Sequence, residues 1–314
     1  MRWQHEIVTH APQLPRAAAL PSPAALAVTR IPPGPEAGPE ADPGQVLAGL
    51  IAAGNVVILS GAGLSTESGI PDYRGPTGLT RRGQPMTYQD FTATAAARQR
   101  YWARSHTGWQ AIARATPNAG HRAVAELEHR GRLAGIITQN VDGLHQAAGA
   151  SNVIELHGSL DRVRCLGCAG RTSRAQLHQR LAVANPGWAD AVTVTQVNPD
   201  GDVVLPEEQV AGFRVVDCTG CGGLLMPDVV FFGENVPRPR VDQCTALVAG
   251  SAALVVLGSS LTVMSGFRFV RQAAKAGIPV VIVNQGATRG DALALATVDA
   301  PLGQTLTDLV LRAA

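Results

Sequence analysis

Long hydrophobic runs are missing from this chain. Although 46% of its 314 residues are hydrophobic, no window reaches the roughly 18 continuous apolar residues that a membrane-spanning helix needs. A dominant charge is missing too. The net charge is only +2, from 26 Lys and Arg against 24 Asp and Glu, so no global field draws in nucleic acid or an anionic membrane. Lysine is almost absent, Lys275 being the single example. With abundant Ala, Gly, Val and Pro, this arginine bias indicates GC-rich coding and a bacterial source. Residues 1–43 lack a compact apolar core followed by a cleavage site, so no secretory signal is expected and the expected location is the cytoplasm. That stretch is rich in Pro and Ala and poor in aromatics. It has little to bury against the entropy of ordering, and a flexible leader is expected.

What is present reads as a βαβ rhythm. Asp42 can cap a helix with Pro43 at its first position, and Val46, Leu47, Leu50 and Ile51 follow at helical spacing until Gly54. Apolar runs bounded by Gly or Pro read as buried parallel strands: Val56 to Leu59, Ile136 to Thr138, Val153 to Leu156, Leu254 to Leu257 and Val280 to Val283. Helices are expected between them, one from Thr116-Pro117 to Gly131 and another from about Gly266 to Ala276. The fold class expected is α/β, a Rossmann-like parallel sheet with helices on both faces. Two stretches break the rhythm. Residues 76–115, with Phe91, Tyr101, Trp102 and Trp109, suggest a helical insertion over the sheet. Residues 162–226 show little helical periodicity and hold four of the five cysteines. The expected domains are therefore 44–161 with 227–314 for the sheet, and 162–226 for a metal-binding module.

Cys165-Leu-Gly-Cys168 and Cys218-Thr-Gly-Cys221 are matched C-x-x-C pairs 49 residues apart. Two such turns can present four thiolates tetrahedrally to zinc at about 2.3 Å. With every position filled by sulfur no site remains for a reactive water, so one structural zinc ion is expected. Cys244 reads as a buried apolar residue. Arg162, Arg164, Arg171 and Arg174 flank the first pair; without interleaved aromatics they read as a solvated face rather than a nucleic-acid surface.

Ligands of open α/β sheets lie beyond the carboxyl ends of the strands, and several strand ends here are dense in polar groups. After the first strand comes Gly61-Ala-Gly-Leu-Ser-Thr-Glu-Ser-Gly-Ile-Pro-Asp-Tyr-Arg74, which opens like a dinucleotide fingerprint but has Thr66 where the hydride-transfer motif has its third glycine. Thr138-Gln-Asn-Val-Asp-Gly-Leu-His145, Glu155-Leu-His-Gly158, Gly258-Ser-Ser-Leu-Thr262 and Asn284-Gln-Gly286 end the others. His157 taken alone also fits a satisfied structural histidine.

Together, these motifs and the cysteine quartet, in this order over about residues 45–312, resemble the sirtuins, NAD-dependent protein lysine deacylases. Pro71-Asp-Tyr-Arg74, Gln99-Arg-Tyr-Trp-Ala-Arg104 and Pro199-Asp-Gly-Asp202 resemble the class II branch. The resemblance implies that NAD is cleaved at its nicotinamide ribose, the acyl group passing from lysine to ADP-ribose. It implies His157 as general base, Asn140 ordering the ribose or a water, and Asp142 accepting from the nicotinamide amide. Backbone amides of Gly61, Ala62 and Gly63 would face the pyrophosphate, with Thr66, Asp72 and Tyr73 in the same loop. Gln139 and Arg74 would fix the ribose and diphosphate side. Gly258, Ser259, Ser260, Asn284, Gln285, Gly286 and the backbone near Leu302 match the adenosine half. Val229, Val230, Phe231, Phe232, Gly233 and Glu234 match the strand on which an acyl-lysine peptide is laid, a mode in which backbone pairing dominates. Arg81 and Arg82 are candidates to meet an acidic acyl chain. Mono-ADP-ribosyl transfer or NAD hydrolysis on the same site is the alternative, and a noncatalytic NAD-sensing or nucleic-acid-binding zinc protein a further one.

Overall fold

The computed structural model describes residues 42–74, 85–192 and 198–312; Arg81, Arg82 and nearly all of the leader lie outside them. Among the described residues nine strands run in chain order: β1 Val56–Ser60, β2 Leu133–Thr138, β3 Val153–Glu155, β4 Gly158–Cys165, β5 Arg171–Ser173, β6 Leu225–Val229, β7 Ala253–Leu257, β8 Val280–Val283 and β9 Ala296–Val298. Six of them form one parallel sheet in the order β3-β2-β1-β7-β8-β9. The other three form an antiparallel sheet in the order β5-β4-β6.

The period-2 alternation of a strand explains why the parallel sheet is covered twice. Val56 and Ile58 of β1 face one core with Leu47, Ile51, Val124, Leu127 and Leu306. Val57 and Leu59 face the other with Val248, Phe269, Val270 and Ala273. Asp42 does cap the first helix, Pro43–Ala53, its carboxylate accepting from Gly44 N, and Gly54 ends it. The helix expected from Thr116 begins at Ala119 under an Asn118 cap, and the one expected from Gly266 begins at Met264.

Two expectations need correction. The helical insertion, Tyr88–Ala93 and Ala95–Arg114, does not cover the parallel sheet with its aromatic face. Phe91, Tyr101 and Trp102 instead share a core with Val163, Cys165, Leu177, Leu181, Phe213 and Met226 of the cysteine-bearing region. That region also contains an eleven-residue helix, Arg174–Ala184. Its inward face consists of Arg174, Leu177 and Leu181, and an arginine in a core position hides the helical period from an apolar count.

Candidate active site

The parallel sheet switches direction at β1, whose neighbours are β2 and β7, and the turns after β1 and β7 cross there. Gly63 N–H donates to Gly258 O at 2.9 Å and Gly61 N–H to Leu257 O at 2.9 Å. Of the three amides expected to face a pyrophosphate, two are thus consumed by the crossing and the Ala62 amide is left. Glycine is required here: a Cβ on Gly63 would lie 2.9 Å from Gly258 Cα, and one on Gly258, at φ 60°, would lie 2.6 Å from Leu64 N. No side chain fits between backbones this close, so the chain presents bare backbone to a ligand.

A cleft of about 510 Å³ opens beside this crossing. Every expected cofactor, catalytic and peptide residue lines it except Gly61 and Gly286. Gly61 sits behind the wall, its carbonyl accepting from Asn140 Nδ2 at 3.1 Å. Gly286 is turned into its own loop, donating to Asp299 Oδ1 at 3.3 Å and accepting from Asn284 Nδ2 at 2.8 Å. Ala287 lines the cleft in its place.

His157 Nδ1 lies 2.8 Å from the Gln139 carbonyl and Nε2 lies 2.8 Å from Ser265 Oγ. A carbonyl only accepts, so Nδ1 carries the proton and Nε2 has the lone pair. Burial lowers the imidazole pKa below 6.5, the Gln139 carbonyl opposes this, and the Arg240 charge adds to it. The ring is therefore neutral at pH 7, as a base must be. Protonation disables that base, so the acid limb of kcat/KM is expected below pH 6.5. In Arg240→Met, which removes a positive neighbour, that limb should move upward; a pH–rate profile of both proteins checks the direction.

Ser65, overlooked within its motif, links the other two groups. Its hydroxyl donates to Asp142 Oδ2 at 2.7 Å and accepts from Asn140 Nδ2 at 3.0 Å. Burial raises the Asp142 pKa, while bonds from Leu144 N and Ser65 pull it down. Gln139 is held by Ser259, whose hydroxyl donates to Gln139 Oε1 at 2.7 Å. Ser265, Tyr101, Glu67 and Arg268 also line the cleft without having been foreseen. Ser265, Tyr101 and Arg268 come from segments whose approach depends on the whole fold, whereas Glu67, like Ser65, lies in the glycine loop itself.

On the peptide side, β6 ends at Val229, and Val230 N donates to the His157 carbonyl at 2.8 Å. Phe231 points into the shared aromatic core, while Phe232 meets Tyr73 edge-on at 6.0 Å between centroids. One edge of this segment is paired with Thr87 and Tyr88.

Below the cleft, Ser60 Oγ lies 2.9 Å from Thr138 Oγ1 and 2.8 Å from His145 Nε2, and the His145 ring meets His121 at 5.2 Å. Burial pushes the His121 pKa down to about 4 and that of His145 to about 3. Between pH 6.5 and 4 the unfolded chain binds protons that these native histidines refuse, so stability falls as pH falls. Each contributes a slope approaching about 1.4 kcal/mol per pH unit, to be read from urea unfolding at pH 7, 6, 5 and 4.5.

The four cysteines converge as expected. All four Sγ atoms lie within 4.8 Å of one another, with Cys165–Cys221 at 3.5 Å and Cys168–Cys218 at 3.9 Å. A tetrahedral ion with bonds of about 2.3 Å needs sulfurs roughly 3.8 Å apart, so the quartet is positioned to hold one metal ion. Cys244 is fully buried. The arginine face expected to be solvated is so only in part: Arg171 is exposed and Arg162 and Arg164 are partly so, but all three are ion-paired and Arg174 is buried. Arg162 pairs with Glu155 and Asp228, Arg171 with Asp228 and Arg164 with Glu234, while Arg174 is 0% exposed.

A parallel sheet with paired turns at its switch point and a cleft beyond its carboxyl ends defines a nucleotide-binding α/β protein, here with a metal-ribbon insertion. The chain belongs to the Sir2 family, whose model matches residues 61–265. A Streptomyces coelicolor protein named NAD-dependent protein deacetylase 1 is 62% identical over 261 residues, which cover 83% of this chain and 87% of that protein. A solved complex of a mutant Sir2 homologue with ADP-ribose superposes with a TM-score of 0.68 at 29% identity, covering 86% of this chain and 96% of that one. A complex of Sir2 with a p53 peptide and NAD+ gives a TM-score of 0.66 at 28% identity, covering 84% and 95%.

Proposed function

We propose that this protein is an NAD-dependent protein lysine deacylase of the deacetylase type, with one structural zinc ion. The observation that carries the reading is His157. Its neutral ring is fixed by the Gln139 carbonyl, with Nε2 in the same cleft as the glycine crossing and the Val229–Glu234 segment. The relatives named as deacetylases and the solved complexes with NAD+, ADP-ribose and a peptide support it.

In this reading NAD supplies a glycosidic carbon from which nicotinamide can leave. The protein's part is to bind, orient and move a proton. Ala62 offers its amide to the pyrophosphate at the start of a helical turn, where anionic oxygens are favoured. Ser65 locks Asn140 and Asp142 in register, where the amide would meet the ribose and the carboxylate the nicotinamide amide. Ser259 and the Asn284–Gln285 loop take the adenosine half. Ser265 donates to the His157 Nε2 lone pair, and in its place that nitrogen would take the proton of a ribose hydroxyl. An extended acyl-lysine peptide would lie along Val229 to Glu234, which lines the same cleft as His157. Five cysteines outside any disulfide among the described residues, four of them placed as metal ligands, suit a reducing compartment, and the cytoplasm is the location we propose; no described helix is long and apolar enough to cross a membrane.

Incubation with NAD and a panel of acyl-lysine peptides, followed by mass spectrometry, tests this. Stoichiometric nicotinamide and O-acyl-ADP-ribose support the reading. ADP-ribosylated protein or free ADP-ribose without deacylated peptide would replace it by transfer or hydrolysis.

A further inference from the structure

We propose that Arg174 and the side chains packed on it form a buried site for a single monatomic anion of the halide class, at the joint between helices Ala95–Arg114 and Arg174–Ala184. Arg174 is 0% exposed, yet no ion pair among the described residues involves it. One terminal nitrogen, Nη2, donates to Ser105 O at 3.0 Å and Ser105 Oγ at 3.3 Å. Its Nε and Nη1 have no partner. The same is true of three neighbouring buried nitrogens: Trp109 Nε1, His106 Nδ1 and His178 Nδ1.

These atoms belong to one contiguous cluster. The Arg174 guanidinium carbon lies 4.9 Å from the Trp109 ring centroid and 5.4 Å from that of Trp102. The His106 and His178 rings stack at 4.2 Å, and Trp109 meets His178 at 5.0 Å. Arg174 and Trp109 can only donate, and each imidazole can carry its proton at Nδ1. The cluster therefore has a surplus of donors, and what satisfies it must accept from several sides and balance a positive charge. The faces of Trp102 and Trp109 offset part of the desolvation of a guanidinium, not all of it. Burial lowers the Arg174 pKa only to about 10, so the charge persists at neutral pH.

Size selects the ligand. The unpaired donors sit among rings in mutual contact, His178 at 4.2 Å and Phe213 at 5.7 Å from the His106 ring, so the ligand is taken from the most compact class of anion, a single atom. Occupancy would matter beyond the joint. The Ala95–Arg114 helix carries Tyr101, which lines the cleft, and Arg104, which pairs with Asp202 of the cleft wall at 2.7 Å. An anion at Arg174 thus holds that wall.

The test uses the full chain with its metal, with sodium bromide titrated against sodium gluconate at constant ionic strength. The thermal midpoint is expected to rise with bromide and saturate. Crystals soaked in bromide should show an anomalous peak beside Arg174. Trp109→Phe keeps the ring but loses the N–H, and should weaken the apparent bromide affinity by roughly tenfold; Arg174→Met should abolish the response. Equal midpoints in bromide and gluconate with no peak beside Arg174 would overturn the proposal, as would a bromide response unchanged in Trp109→Phe. The peak and the Trp109→Phe comparison keep the test decisive if Arg174→Met does not fold.

Discussion

His157→Ala is expected to slow nicotinamide release with an acetyl-lysine peptide by about 10²–10⁴-fold, the range of a positioned general base, while the protein stays folded. The alanine leaves the Gln139 carbonyl and the Ser265 hydroxyl facing a gap, and neither can take a proton at neutral pH. KM for NAD should change far less than kcat, since the crossing at Gly63 and Gly258 and the Ser259–Gln139 bond are untouched. Single-turnover rates and a binding isotherm for NAD separate the two effects. Undiminished turnover in this variant would remove His157 from the mechanism. Ser65→Ala makes a useful companion because it frees Asn140 and Asp142 from each other. Its loss should appear in NAD binding as well as in rate.

Stripping the metal should have the second large effect. In zinc-finger peptides a structural zinc contributes an apparent ~10–16 kcal/mol, comparable with the whole ~5–15 kcal/mol stability of a domain. Cys165 belongs to the same core as Phe91, Tyr101, Trp102 and Phe231, with Cys218 packed against it. A chelator, or Cys221→Ser, should therefore loosen both the antiparallel sheet and the helical insertion. Trp102 and Trp188 fluorescence should shift and activity should vanish, although no cysteine lines the cleft. The cores around the parallel sheet contain none of the four cysteine ligands and should keep much of their far-ultraviolet dichroism. Zinc added back should restore both signals. Unaltered fluorescence and activity after complete metal removal would show that the ion does not hold the module together.

Five of the six parallel strands were legible because each is an apolar run ended by Gly, Pro or a polar turn, and burial on both faces writes that pattern directly; β9, a three-residue edge strand that is only partly buried, lacks it. The cysteine ligands were legible for a similar reason, since two C-x-x-C turns leave thiolates little else to do. Ser65 and Ser265 were not singled out. A serine carries no signal of its own, and the partners that give these two a role come from 77 and 108 residues away. The helix Arg174–Ala184 was hidden by its own core arginine, and the ion pairs of the flanking, still partly exposed arginines were hidden because their carboxylates lie at Glu155, Asp228 and Glu234.

Local chemistry, then, determined the parallel α/β frame, the metal ligands and the cluster of polar strand ends, because spacing along the chain fixes which groups share a face, a turn or a hairpin. Only the tertiary structure decided which backbone amides remain for a ligand, which nitrogen of His157 bears the proton, and where the aromatic insertion docks. Those depend on carbonyls, hydroxyls and rings brought within about 3–5 Å by contacts between distant segments, and no periodicity in the sequence records them.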